Sequence, residues 1–401
     1  MWRAAALFAL TFSAPLSAQV ERWLAGPQRT DIRWSVHARP ASLSRFQRLL
    51  SRFTVRFQQQ EIDRRRNLLL ILAIRDYTGK QERILQRIDL SKPPYSNQKL
   101  ESPRWVSAAF LLPGTYEVTF AAVDLKTRER SLARRRLNVA TLQSDPLQSA
   151  WHGLPSIEFI TSFVGPDAWF LPEISARLSL PLESRRPINL DIVMNTAVSE
   201  IARLPHLVAN QTLPALVPVL KTLSQIDVRS GALSIAVVDG ARRETIFAQD
   251  SPHELDWAAL KRALRADNPH LIDTSALHGR DQDVQFLLND LDRRIEPRSD
   301  GALRAVIFLS PPMSFPSGID RAPIQPPADP DYRVFYVRVQ TVIERFPRVF
   351  NSPFRRPVYV GMPDQLEGAL KPLHPRTFEI WYPNEFRKAL ASILHELSDA
   401  R

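Results

Sequence analysis

The chain has 401 residues, of which 44% are hydrophobic and 24% charged, a composition that excludes a disordered tail. At roughly 150 residues per domain, this length implies more than one core. Cysteine is absent, which excludes disulfide scaffolds, thiolate metal sites and cysteine nucleophiles, and 12 glycines leave little material for phosphate-cradling loops. The formal charge is +11, and it is carried overwhelmingly by arginine.

Residues 1–18 read as a secretory signal peptide. Arg3 supplies the positive end, Ala4 to Phe12 the apolar run, Pro15 a break, and Ala18 a small residue at a cleavage point before Gln19. The expected product is exported, to the periplasm or the extracellular space. No later stretch reaches the roughly 18 apolar residues of a membrane-spanning helix, so no transmembrane anchor is expected.

Residues 19–140 carry strand patterns at roughly ten-residue spacing, the mark of an antiparallel β-sandwich. Phe53, Val55 and Phe57 alternate with Arg52, Thr54 and Arg56. Asn67–Asp76 and Glu82–Leu90 flank the turn Tyr77-Thr78-Gly79-Lys80, and Trp105–Leu112 and Thr115–Val123 flank Pro113-Gly114. Leu132–Val139 closes the series. Pro113-Gly114-Thr115-Tyr116 resembles the corner of immunoglobulin-like and fibronectin-like domains, which implies that the Tyr116 hydroxyl bonds back to the backbone. Arg128, Arg130, Arg134, Arg135 and Arg136 form the densest charge run. It reads as an edge strand guarded by charge or as a polyanion patch.

Residues 141–186 combine five prolines with Trp151, Phe159, Phe163, Trp169 and Phe170. A flexible linker lacks such aromatics, so an ordered connector is expected, packed between the two domains. A short strand over Ala176–Leu182 leads out of it.

Residues 187–401 alternate apolar strands with helical patterns, which predicts an α/β, Rossmann-like domain. The strands are Ile188–Met194, Ala232–Val238, Leu303–Leu309, Val334–Val339 and Thr377–Tyr382, with Arg243–Ala248 as an antiparallel edge. Ser251-Pro252-His253-Glu254 predicts a capped helix to about Arg265. Val284, Leu287, Leu288, Leu291 and Ile295 place another over Asp281–Ile295, and Asn384 is the expected cap of a last one. Leu204–Ile226 is helix-length, with Pro214 and Pro218 expected to kink or divide it.

Such sheets gather ligands at the carboxyl ends of their strands. The first end is Asn195-Thr196-Ala197-Val198-Ser199, which resembles the first loop of von Willebrand factor A domains, where a strand runs into Asp-x-Ser-x-Ser. The resemblance spans roughly residues 187–398. It extends to exported relatives of that family that carry a sandwich ahead of the α/β domain. It implies a site for a divalent cation such as Mg²⁺, completed by a Thr from a second loop, matched by Thr274, and an Asp from a third, where Ser310-Pro311 stands here. Asn195 and Ala197 replace the first Asp and Ser, so a degenerate ion site without metal or other cofactor is expected, with Asp273 as a remaining carboxylate candidate. Asn195, Thr196, Ser199, Thr274 and Ser310 then become the partner-binding edge. Seven prolines in 311–330 stand beside it, as a binding surface, a lid or an insertion.

Neither a nucleophile elbow nor a nucleotide-binding glycine motif is present. His395-Glu396 begins a zincin-like pattern, but Asp399 stands at the second His position. The expected function is therefore non-enzymatic binding of a protein partner outside the cytoplasm, with no nucleic acid. Two alternatives stay open: binding of acidic polymers through the arginines, and a hydrolase or nucleotide-binding enzyme on the Rossmann-like sheet.

Overall fold

The structure, a computed structural model, describes residues 14–58, 60–61, 64, 66–90, 104–160, 174–197, 205–240, 242–250, 254–266, 281–296, 301–313, 332–340 and 364–400. They divide into two units. The described residues of Met1–Ser42, Leu49–Thr141 and Pro155–Val164 form the first; Leu43–Arg48, Leu142–Leu154 and the described residues of Gly165–Arg401 form the second.

The first unit contains α1 (Ala14–Leu24), β1 (Arg29–Thr30), β2 (Trp34–Ala38), the start of β3 (Ser42–Leu43), β4 (Leu49–Phe57), β5 (Asn67–Arg75), β6 (Gln81–Asp89), β7 (Arg104–Leu111), β8 (Gly114–Asp124), β9 (Arg130–Val139) and β10 (Ile157–Ile160). Two antiparallel sheets result, ordered β1-β9-β8-β5-β6 and β10-β7-β4-β2. The alternation in β4 sends Phe53, Val55 and Phe57 inward and Arg52 and Arg56 outward. Phe53 meets Phe120 of the other sheet edge-on, with ring centroids 6.3 Å apart, and both are fully buried. Each such side chain contributes roughly 1.5–3 kcal/mol. The Tyr116 hydroxyl stands 2.7 Å from the Leu112 carbonyl and 3.0 Å from that of Ser156. Burial, with the charge of Asp76, pushes its pKa up to about 12. Buried Arg66 joins Glu61, Asp124 and Glu129 in one ion cluster.

Two expectations change here. Pro15 does not break the chain; it stands in the first turn of α1, where its missing N–H costs no helical bond. The helix runs through the predicted cleavage point after Ala18, and Val20 and Leu24 cover Leu69, Ile71, Ala73, Ala121 and Leu132 on the outer face of the first sheet. Arg134 closes its far end, donating to the Leu24 and Gly26 carbonyls at 2.7 and 2.9 Å. The expected connector divides: Ile157–Ile160 pairs with β7, whereas Leu142–Leu154 folds with the second unit. Its Phe163, Trp169 and Phe170 lie outside the described residues.

The second unit contains β11 (Leu180–Leu182), β12 (Ile188–Asn195), α2 (Pro205–Leu223), β13 (Ile226–Val228), β14 (Gly231–Asp239), β15 (Glu244–Asp250), α3 (Trp257–Ala266), α4 (Asp281–Ile295), β16 (Leu303–Ser310), β17 (Tyr332–Val339), α5 (Gln365–Leu370), β18 (Arg376–Ile380) and α6 (Pro383–Ser398). Its six-stranded sheet has the order β15-β14-β12-β16-β17-β18. All neighbours are parallel except β15, which returns antiparallel along β14. Continuous apolar runs make β12 and β16 nearly solvent-free, as strands covered on both faces require.

The helices differ from expectation in their ends. Residues 205–223 form one helix with Pro214 and Pro218 inside it. Those prolines sit four apart, and the interior contacts of Leu216, Val219, Leu220 and Leu223 outweigh the bonds they forfeit. Helix α3 starts at Trp257, capped by Asp256, whose carboxylate accepts the Ala259 N–H at 2.8 Å. Ser251–His253 of the expected capping box lie outside the described residues. At α6 the cap is not Asn384: Glu385 reaches back and accepts the N–H groups of Trp381 and Tyr382 at 2.6 and 2.9 Å. The apolar stripe Phe386, Ala389, Leu390, Ile393, Leu394 and Leu397 is buried, and so is Arg387 beside it.

Arg387 grips Asp145 with two parallel bonds of 2.5 and 2.8 Å and also donates to the Leu147 carbonyl at 2.8 Å. Its guanidinium lies 4.7 Å over the Trp151 ring, and Trp151 donates to the Gln47 carbonyl at 2.8 Å. Burial alone raises the Asp145 pKa, but Arg387 and the Leu147 N–H outweigh it and hold the pKa below the usual range. This clasp fastens Leu43–Arg48 and Leu142–Leu154 to α6. Arg45, which donates to the carbonyls of Gln340 and Trp381 at 3.3 Å, adds a second attachment.

Candidate functional site

The strand order reverses between β12 and β16, so the crevice that such a sheet offers lies at their carboxyl ends. Asn195 ends β12 and Ser310 ends β16, and neither has exposed surface. The Asn195 amide donates to Ser310 Oγ at 3.0 Å and to Met313 Sδ at 2.8 Å. Its oxygen accepts the N–H groups of Ala197 at 3.1 Å and Gly240 at 3.3 Å. Ser310 in turn donates to the Pro311 carbonyl at 2.8 Å. One carboxamide thus ties three strand ends together, with two donors and two acceptor positions all used. Gly240 leaves it room: a Cβ there would stand 3.2 Å from the Asn195 oxygen.

Thr196 turns away from this knot and binds the Val238 carbonyl through both its N–H, at 2.9 Å, and its hydroxyl, at 3.2 Å. Asn195 and Ser310 therefore meet, and Thr196 flanks them without joining. Ser199, Asp273 and Thr274 lie outside the described residues, as do residues 314–330 of the proline-rich segment. Among the described residues, no group of three His, Asp or Glu side chains is placed to hold a metal ion. His395, exposed on α6, pairs instead with Asp399 at 3.3 Å.

A second network continues the edge, and the sequence reading missed it. The carboxylate of Asp364, just ahead of α5, is buried; it accepts the Met313 N–H at 3.1 Å and the Tyr336 hydroxyl at 2.8 Å. Arg338, near the carboxyl end of β17, reaches Asp364, Glu367 and Glu379 at 3.4, 2.8 and 3.3 Å. Burial, the Asp364 charge and its hydrogen bond raise the Tyr336 pKa well above its ordinary value, so the phenol stays protonated. Burial lowers the Arg338 pKa, but the three carboxylates together outweigh it and keep the guanidinium charged. Glu367 and Glu379 are partly exposed and give this edge an acidic rim around one cation. The only sequence signal was the polar pair Tyr336 and Arg338 inside an apolar strand.

No family model and no curated protein matches the chain. Distant structural likenesses exist. The Northeast Structural Genomics Consortium target SoR45 covers 29% of this chain and 95% of its own at 15% identity, with a TM-score of 0.19. A putative ApaA protein from Bordetella pertussis covers 29% and 100% at 16% identity, also at 0.19. A glycosyl hydrolase family 2 member from Bacteroides cellulosilyticus covers 70% of this chain and 31% of its own at 10% identity, again at 0.19. Likenesses at this level carry no inference about activity.

Proposed function

We propose that this protein is an exported, non-enzymatic interaction protein that binds a protein partner at the carboxyl edge of its α/β sheet without a metal ion. In this reading the second unit is a von Willebrand factor A-type domain with a degenerate ion loop, preceded by an immunoglobulin-like sandwich. The observation that carries it is the Asn195 knot. The crevice where a sheet of this order takes a small ligand is filled by the chain's own amide, hydroxyl and thioether. Among the described residues, this edge presents a surface with Glu367, Glu379 and Arg338 as its charged rim. A surface of that kind suits a macromolecular partner.

The test is capture from envelope extract by the immobilised full chain, with and without chelator, beside the Glu367→Lys/Glu379→Lys variant. The same partner is expected with and without chelator, and not with the variant. Capture that needs Mg²⁺ would overturn the metal-free reading. Capture untouched by charge reversal would move the surface elsewhere.

A further inference from the structure

The outer face of the first sheet has two ends. Helix α1 covers one, over Leu69, Ile71, Ala73, Ala121 and Leu132. Beyond the helix, register aligns Gln81 of β6, Arg75 of β5, Glu117 of β8 and Arg136 of β9 in one row across four strands. A cleft of about 600 Å³ opens there, lined by Arg75, Tyr77, Thr115, Glu117, Arg135 and Arg136 among others.

Its charges are unbalanced. Asp76 is consumed by the turn that follows β5: it accepts from the Thr78 and Lys80 N–H groups and from the Thr78 and Ser156 hydroxyls. Glu117 faces Arg134 at 3.7 Å. Arg75 is left with the neutral Gln81 oxygen, at 2.8 and 3.2 Å, and Arg135 with a backbone carbonyl at 2.9 Å. Among the described residues, Arg75, Arg135 and Arg136 have no carboxylate partner. Arg75 and Arg136 stand two strands apart, roughly 10 Å, a spacing for successive anions on a chain and not for one small ion.

Tyr77 is the second observation. It is 80% exposed, and among the described residues the only other exposed large hydrophobic side chain is Tyr382, at 45%. Yet it is not on a loose loop. The Asp76 bonds and Gly79, in the left-handed region at φ +87°, fix the turn that presents it. The ring leans over Gly114, where a Cβ would stand 3.7 Å from its Cδ1. A rigidly held, solvent-facing aromatic beside guanidiniums that lack carboxylate partners is surface pre-organised for a ligand that brings both a ring face and negative charge.

We propose that this cleft binds uronic-acid units of an acidic polysaccharide. The guanidiniums take successive carboxylates through paired hydrogen bonds. The Tyr77 ring packs on the apolar face of a sugar ring, and Thr115 and Glu117 meet its hydroxyls. An acidic peptide accounts for the arginines but leaves the fixed aromatic face unused.

Affinity electrophoresis of the full chain in about 0.15 M salt tests this, through gels containing polygalacturonate, poly-glutamate or dextran. A chain of charge +11 is slowed by any polyanion, so preference is the readout. At least tenfold tighter binding to polygalacturonate than to poly-glutamate is expected, with none to dextran. Tyr77→Ala should abolish that preference while Tyr77→Phe keeps it, and Arg75→Ala/Arg136→Ala should weaken polygalacturonate binding at least tenfold. Equal affinity for the two polyanions, or a preference that survives Tyr77→Ala, overturns the proposal and leaves a general polyanion or acidic-peptide surface.

Discussion

At the end of β12, replacing Asn195 by the acid of the same shape isolates what the amide does. Asn195→Asp removes two donors, leaves Ser310 and Met313 without one, and puts a carboxylate where there is no exposed surface. The expected loss is about 2–4 kcal/mol in denaturant unfolding. Addition of Mg²⁺ should not restore it, because Ser310-Pro311 brings no second carboxylate; recovery in Mg²⁺ would show that the ion site is only one substitution away. Gly231 is as constrained in its backbone. It has φ +117°, and a Cβ there would fall 1.9 Å from the Ile188 carbonyl oxygen, so Gly231→Ala should cost roughly 3 kcal/mol or more by the same measurement. At this scale the sequence was informative where strand ends could be located. Asn195 and Ser310 were found because two apolar runs end at them. Met313, Gly240 and Asp364 were not, because only the strand order brings them there. The exposure of Tyr77 was invisible too, since a turn residue's surroundings are not local.

Elements were legible wherever one period persists. Val284, Leu287, Leu288, Leu291 and Ile295 defined α4, and alternation defined β4. Failures came where an interaction from outside the element decides. Pro214 and Pro218 argue locally for a kink or a division, and the helix is not divided: α2 runs through both. Arg387 stands outside the apolar stripe of α6, and its burial follows only from Asp145, 242 positions earlier, which folds against it. Truncation to Arg387→Ala strands a buried carboxylate and should cost about 3–5 kcal/mol at neutral pH. The sign with pH follows from the depressed Asp145 pKa. The pair's contribution is whole above the unfolded carboxylate value near 4 and disappears as pH falls through the lower folded value. The gap between wild type and Arg387→Ala should therefore narrow from pH 7 to pH 3 in urea midpoints; a constant gap would assign the effect to lost packing over Trp151.

For the whole molecule, composition and patterning separated an antiparallel half from an α/β half, but not the path of the chain between them. The second unit takes in Leu43–Arg48 and Leu142–Leu154, segments distant in sequence from its sheet and with no periodic signature of their own. A fragment of residues 187–401 contains the whole six-stranded sheet yet lacks Asp145, Trp151 and Arg45. Its melting should be broad and lower than that of the full chain, and adding a fragment of residues 19–186 should restore a cooperative transition. A fragment that melts as sharply and as high as the second unit does in the full chain would show that the clasp is dispensable.

The same clasp sets a clock. A ribosome makes Asp145 long before Arg387, at roughly 5–20 residues per second, so Asp145 waits on the order of ten seconds or more for its partner. Until then the second unit lacks the bond that closes it, whereas the strands of the first have already been synthesised. If the chain is exported as proposed, such a delay would leave the larger unit open for threading through an export channel. The fastening that completes its larger unit is delivered last.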